Sequence, residues 1–215
     1  VNSSADDFYG VDINIASNER LFVSWFDDTD NDINGDTLVD LIPGINATTE
    51  EFDEVNSNDA YSQVTVDAAV QTIGDSHLIA GSQTVFTSDQ TGYKFYRDAS
   101  GECVYSKTTN GGSSWGAAVI VDNQGAAVDC MGISVWYDQW TPGNSGNYIH
   151  IATWDDGTDD VFYNRVDTAN SDTRLLGAAA VAASAQANTN ATGTNAVSIT
   201  LGTDGTLYIA QDDAS

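Results

Sequence analysis

The chain has 215 residues, with 32 Asp and Glu against 6 Lys and Arg for a formal net charge of −26, and it is 41% hydrophobic and 10% aromatic. That charge repels the phosphates of nucleic acids and of anionic lipid headgroups, which excludes a nucleic-acid partner, and the aromatic content excludes a chain disordered throughout. The same self-repulsion opposes compaction unless it is screened, so the composition predicts a halophilic or marine setting, bound Ca2+, or both; the competing reading is a plain soluble acidic surface.

The first predicted element is a hairpin. Val11-Asp12-Ile13-Asn14-Ile15 alternates apolar and polar residues, a polar turn follows at Asn18-Glu19-Arg20, and Leu21-Phe22-Val23-Ser24 returns. An acidic stretch comes next, from Asp28 through Asp30, Asp32, Asn34, Gly35 and Asp36 to Asp40. Alternate carboxylates ahead of a glycine turn open a calcium loop, so Asp28, Asp30, Asp32, Asn34 and Asp36 are the candidate metal ligands. Leu41 stands where the closing bidentate Glu belongs, so the complete pattern fails, and a solvated acidic loop is the alternative.

In the middle of the chain Tyr93-Lys94-Phe95-Tyr96-Arg97-Asp98 and Cys103-Val104-Tyr105-Ser106-Lys107-Thr108 read as second and third strands of one unit. The turn Thr108-Thr109-Asn110-Gly111-Gly112-Ser113-Ser114-Trp115 precedes a further apolar strand, Ala117 to Asp122. The next unit opens with Ile133-Ser134-Val135-Trp136-Tyr137, runs through a long turn from Trp140 to Gly146, and returns as Ile149-His150-Ile151-Ala152-Thr153-Trp154-Asp155-Asp156, which matches Leu21 to Asp28 in register. Val161 to Val166 matches Cys103 to Thr108. The Ala-rich segment Gly177 to Ala187 takes the fourth-strand place, with a short helix as the alternative. Val197-Ser198-Ile199-Thr200-Leu201, Asp204-Gly205-Thr206 and Leu207-Tyr208-Ile209-Ala210 repeat the opening hairpin.

The second strands thus begin near Leu21, Tyr93, Ile149 and Leu207, a recurrence of roughly 55 to 70 residues, which four-stranded antiparallel units account for. Cys103 and Cys130 fit neither a zinc motif nor a CxxC pair; one disulfide joining neighbouring strands is expected, with buried free thiols as the alternative. No apolar run reaches membrane-spanning length, since Leu175 to Ala187 is mostly Ala and is broken by Gly177, Ser184 and Gln186, so membrane insertion is not expected. Three sequons, at Asn2, Asn46 and Asn190, permit N-glycosylation.

The segment from Thr108 to Trp115 resembles the Asp-box of sialidases and other BNR-repeat propellers, with Thr108, Asn110 in place of the usual Asp, Gly112, Ser114 and Trp115 on the motif positions. The resemblance implies an all-β fold of β-propeller blades, each of four antiparallel strands. The blades would span approximately 8–60, 61–124, 125–190 and an incomplete 191–215, about three and a half of them. That number implies part of a larger, six-bladed propeller whose remaining blades belong to the same polypeptide; a small four-bladed ring is the alternative. In the family these turns are peripheral clamps away from the central funnel: Asn110 would accept bonds from turn amides, Gly112 would supply positive φ, and Trp115 would fold onto the core.

Sialidases hold a substrate carboxylate with three arginines and use a Tyr/Glu nucleophilic pair with an acidic Asp. Here Arg20, Arg97, Arg165 and Arg174 all lack the family's Arg-Ile-Pro context, so solvent-facing or salt-bridge roles are expected for them. His77 and His150 read as core or surface residues, His150 facing away from Ile149 and Ile151. No catalytic residue is expected in the chain. The reading is an extracellular, cell-surface or virion-associated binding module for a glycan or a protein surface, with Trp136, Tyr137 and Trp140 as the stacking platform. The alternatives are a sialidase-like glycoside hydrolase with its catalytic residues elsewhere, and a purely structural repeat of a secreted or virion assembly. For any one of these aromatics the competing role is to fill the space between blades.

Overall fold

A computed structural model describes residues 8–15, 21–27, 32–38, 64–67, 84–122, 130–155, 160–177, 180–183 and 197–211. The described chain is all β, in antiparallel sheets whose strands follow chain order. Sheet I contains β1 (Phe8–Ile15), β2 (Leu21–Asp27), β3 (Asp32–Leu38) and β4 (Val64–Asp67). Sheet II contains β5 (Thr84–Phe86), β6 (Gly92–Arg97), β7 (Cys103–Thr108) and β8 (Val119–Ile120). Sheet III contains β9 (Cys130–Tyr137), β10 (Tyr148–Asp155) and β11 (Asp160–Asp167), followed by β12 (Thr173–Leu175) and β13 (Ala180–Ala183), both paired to β11. Sheet IV is the hairpin β14 (Val197–Leu201) and β15 (Leu207–Gln211).

Two boundaries differ from the sequence reading. Val64–Asp67 pairs with β3, so sheet I extends to 67, past the division at 60. The fourth-strand place is taken by two outer pieces, β12 ahead of the Ala-rich segment and β13 within it, with no helix from Thr173 to Gly177 or from Ala180 to Ala183. The break has a physical cause at Gly177. Its amide donates to the buried Asn164 Oδ1 at 2.8 Å, and a Cβ there would lie 2.3 Å from the Tyr163 carbonyl oxygen. Ladder pairing gives way to a side-chain acceptor at the one residue without a Cβ.

The core explains why sheet III reads as buried almost throughout rather than alternating. One face of β9 and β10 presents Ile133, Val135, Tyr137, Ile149 and Ile151 to Val85, Tyr93, Phe95 and Tyr105 of sheet II. The other face presents Ala152 and Trp154 to Val197 and Ile199 of sheet IV. Sheet III is therefore covered on both sides, the condition under which strands lose their polar face. Each isoleucine at 0% exposure, Ile133, Ile149 and Ile151, contributes about 1.5–3 kcal/mol of transfer free energy.

Hydrogen bonds between sheets fix their common orientation. The amide of Cys130, at the start of β9, donates to Gly101 beside the start of β7 at 2.8 Å. At the opposite end Asp172, in the turn after β11, meets Lys107 near the end of β7, and Thr141, after β9, donates its hydroxyl to the Leu201 carbonyl at the end of β14. The strands β5, β7, β9, β11 and β14 therefore run toward one end, which also holds the first-to-second-strand and third-to-fourth-strand turns and is called here the clamp end; second-to-third-strand turns lie at the other. Tyr96 donates to Asp67 Oδ2 at 2.6 Å, which links sheet II to the last strand of sheet I.

Candidate functional site

The turn from Thr108 to Trp115 is built as a clamp between β7 and β8. Thr108 Oγ1 accepts the amides of Asn110 and Gly112 at 3.3 and 3.0 Å and donates to Asn110 Oδ1 at 2.9 Å. Asn110 Oδ1 also accepts the Ser114 amide at 2.9 Å, while its Nδ2 donates to Ser114 Oγ at 2.8 Å. Gly111 and Gly112 take φ of 68° and 91°, the left-handed region where a side chain is strained. Trp115 packs on Phe86 of β5, and the Gly111 amide donates to the Gln90 carbonyl, so the clamp also ties down the β5–β6 turn. The hydrogen bonds of the Thr108, Asn110 and Ser114 side chains given above all close within the turn itself.

Cys103 and Cys130 form a disulfide across 27 residues. It joins the third strand of sheet II to the first strand of sheet III, two separate sheets, and both cysteines are buried.

The β9–β10 loop is the most elaborated loop among the described residues. It starts with a 3₁₀ turn, Asp138–Trp140, and its hub is the Asp138 carboxylate, 4% exposed. Asp138 Oδ2 accepts the Tyr148 amide at 2.8 Å, and Oδ1 accepts His150 Nε2 at 2.9 Å. Because a carboxylate only accepts, Nε2 carries a proton. In the neutral imidazole Nδ1 is then the acceptor for the Tyr163 hydroxyl at 2.7 Å. Burial pushes the Tyr163 hydroxyl up, and the adjacent Arg165 guanidinium pulls part of the way back. Arg165 also lies over the Tyr148 ring at 4.4 Å. Gly146 completes the loop: a Cβ there would lie 2.1 Å from Asp138 Oδ2.

The three aromatics expected to form a platform occupy different surroundings. Tyr137 is 4% exposed inside the core between sheets II and III, so its ring is enclosed and burial raises its hydroxyl. Trp136 lies on the opposite face, half-buried toward sheet IV, and its Nε1 donates to Thr141 Oγ1 at 2.9 Å. Trp140 is half-buried against the II–III core, its ring edge-on to Trp136 at 5.7 Å. Trp136 and Trp140 thus retain partial access beside the loop.

Of the acidic stretch, Asp28 and Asp30 lie outside the described residues. Asp32, Asn34 and Asp36 fall on β3, whose backbone pairs with β2 from Asp32 to Leu38, and Gly35 is a ladder partner of Ser24. An extended strand stands where the sequence suggested a turn wrapped around an ion. Among the described residues no three His, Cys, Asp or Glu converge at metal-holding distance.

The arginines are dispersed. Arg97 is 3% exposed, contrary to the solvent-facing expectation, with Nη1 on Met131 Sδ at 3.9 Å at the far end from the clamp. Arg165 stacks on Tyr148, and Arg174 donates to the Ile120 carbonyl, both at the clamp end; Arg20 and His77 lie outside the described residues. His150 does face away from Ile149 and Ile151, which are buried against sheet II. Its partners escaped sequence reasoning because Asp138 and Tyr163 reach it only through the β9–β10 and β10–β11 registers. Tyr163 pairs with Ala152, two positions from His150 on the same face, a register that belongs to the sheet and not to the local sequence.

No protein-family model and no curated protein matches this chain at a significant level.

Proposed function

We propose that the chain is part of a sialidase-like β-propeller acting as a non-catalytic, extracellular or surface-exposed binding module. The observation that carries this reading is the succession of antiparallel meanders in chain order, packed face to face, with the Thr108–Trp115 clamp between a third and a fourth strand. Radially arranged blades are built from such units. The buried Cys103–Cys130 disulfide favours an oxidising compartment.

The ligand is a glycan or a protein surface, held at the β9–β10 loop. Trp140 supplies a ring on which a sugar face can stack, and the loop's exposed amides, Gln139 and Asn147, supply hydrogen bonds beside it. Asp138 holds this loop before any ligand arrives, which reduces the ordering entropy that binding must overcome. Bound Ca2+ is part of the proposal as the counter-charge to the acidic stretch at Asp28 to Asp36. Its check is a rise in melting temperature on adding calcium at low salt.

The central test is a glycan array probed at high salt with calcium, using the native chain and Trp140→Ala. Binding by the native chain that falls at least tenfold in the variant supports the module. A blank array favours the purely structural repeat, and hydrolysis of a fluorogenic sialoside by the chain overturns the non-catalytic reading.

A further inference from the structure

Asn110 and Gly111 form an Asn-Gly step, in which a backbone amide readily attacks the side chain before it, because glycine carries no Cβ to hinder the approach. The clamp places the two reacting groups in different surroundings. Asn110 is exposed, so water reaches its carboxamide, while Gly111 is buried. The Gly111 amide, which would be the nucleophile, donates to the Gln90 carbonyl of the β5–β6 turn at 2.9 Å. The Asn110 carboxamide, which would be the electrophile, is held inside its own turn: Oδ1 accepts the Thr108 hydroxyl and the Ser114 amide, both at 2.9 Å, and Nδ2 donates to Ser114 Oγ at 2.8 Å.

The restraint on Gly111 depends on a second turn. Ser88 Oγ accepts the amides of Gln90 and Thr91 at 3.4 and 3.0 Å, and so holds the Gln90 carbonyl in place from an exposed position. Exposed turns open more often than the strands they join, so the Gly111–Gln90 bond breaks without unfolding of sheet II. The chain's other Asn-Gly step, Asn34-Gly35, is placed differently. It lies within β3, where Gly35 is the ladder partner of Ser24 on one side and Val64 on the other, and its backbone is released only when sheet I comes apart.

We propose that Asn110 is a site of spontaneous covalent modification, conversion of its carboxamide to a carboxylate, gated by separation of the Gly111 amide from the Gln90 carbonyl. In the opened turn the Gly111 nitrogen loses its proton to solvent and bonds to Asn110 Cγ, the Cγ–Nδ2 bond breaks, and ammonia leaves with a proton drawn from water. Water then adds to the cyclic imide and opens it at either carbonyl, with no oxidant or reductant involved. One opening gives aspartate at position 110, which keeps an acceptor for the Thr108 hydroxyl and the Ser114 amide. The other gives isoaspartate, in which the main chain runs through the former side chain and the acceptor at Oδ1 becomes a backbone carbonyl. Because Trp115 packs on Phe86 from this same turn, the isoaspartate product loosens the hold of the clamp on β5.

The test ages four samples in one mildly alkaline buffer: the folded native chain, folded Ser88→Ala, the native chain unfolded in urea, and a free peptide of residues 107–117. Peptide mapping by mass spectrometry assigns the acid formed to Asn110 or Asn34. Asn110 is expected to convert in the folded native chain roughly tenfold more slowly than in the peptide, and in Ser88→Ala about threefold faster than in the folded native chain. Asn34 is expected to stay intact in both folded chains, and urea to bring Asn110 to the rate of the peptide. Conversion in the folded native chain as fast as in the peptide overturns the gate, as does an unchanged rate in Ser88→Ala. Acceleration of Asn34 and Asn110 together in Ser88→Ala shows that the reaction follows global unfolding and overturns local opening. An Asn110 left intact in the folded native chain over many half-lives of the peptide overturns the site itself.

Discussion

A side chain's role in this molecule is set by what its charge meets after burial, and Glu102 and Asp138 show the two outcomes. Asp138 is buried with the Tyr148 amide and the His150 imidazole as donors. Glu102 is buried with only like charges near it, so its carboxyl is raised in the folded chain. The folded form therefore holds the Glu102 proton more tightly than the unfolded form does. That contribution to stability is fully present below the ordinary value of 4.5 and is lost as pH rises through the raised folded value. Glu102→Gln, which keeps the shape and removes the charge, is expected to melt higher than the native chain at neutral pH and to match it below pH 4.5. A melting series from pH 3 to 8 with no crossover toward equality in acid would refute this account of the residue.

Among elements, the clamp turn shows how far sequence reaches and where it stops. Its positions were legible through the resemblance to the Asp-box pattern, and the residue types on them, a short hydroxyl, an amide and glycines, suit a tight turn. The structure adds that Thr108, more than Asn110, anchors it, with two amides on one buried hydroxyl oxygen. Thr108→Ala leaves the buried Gly112 amide without its acceptor and is expected to cost about 1–3 kcal/mol. Thr108→Ser should restore most of that, both read from urea unfolding midpoints. The second strands were legible for a similar local reason, since apolar stretches of 6 to 8 residues such as Gly92–Arg97 and Tyr148–Asp155 carry their own pattern. Val64–Asp67 and Thr84–Phe86 were not, because 4 and 3 residues are too few to show a period and gain their place only from a neighbour. The Asp138, His150 and Tyr163 group was illegible for a stricter reason: its members are joined by pairing register across three strands, which local sequence does not encode.

For the whole molecule, the opposing quantities are the burial that joins the sheets and the repulsion among 32 acidic side chains. Apolar contact between sheets II, III and IV depends little on dilute salt, whereas repulsion between surface carboxylates weakens as the screening length falls from about 10 Å at 0.1 M to about 3 Å at 1 M. The melting temperature is therefore expected to climb by about 4–8 °C between these concentrations of sodium chloride, equivalent to roughly 2 kcal/mol for a chain of this size. A flat profile in a thermal shift assay would mean that repulsion is already relieved in the folded state. The bond between Cys103 and Cys130 has a mechanical consequence as well. Tension drawn along the backbone passes from one cysteine to the other through sulfur, and the residues between them, Val119 and Ile120 of the outer strand included, carry no load. A chain pulled from both sides would unravel its hairpins on either flank while that enclosed stretch stayed slack, and reducing agent would release its length as a discrete extra extension.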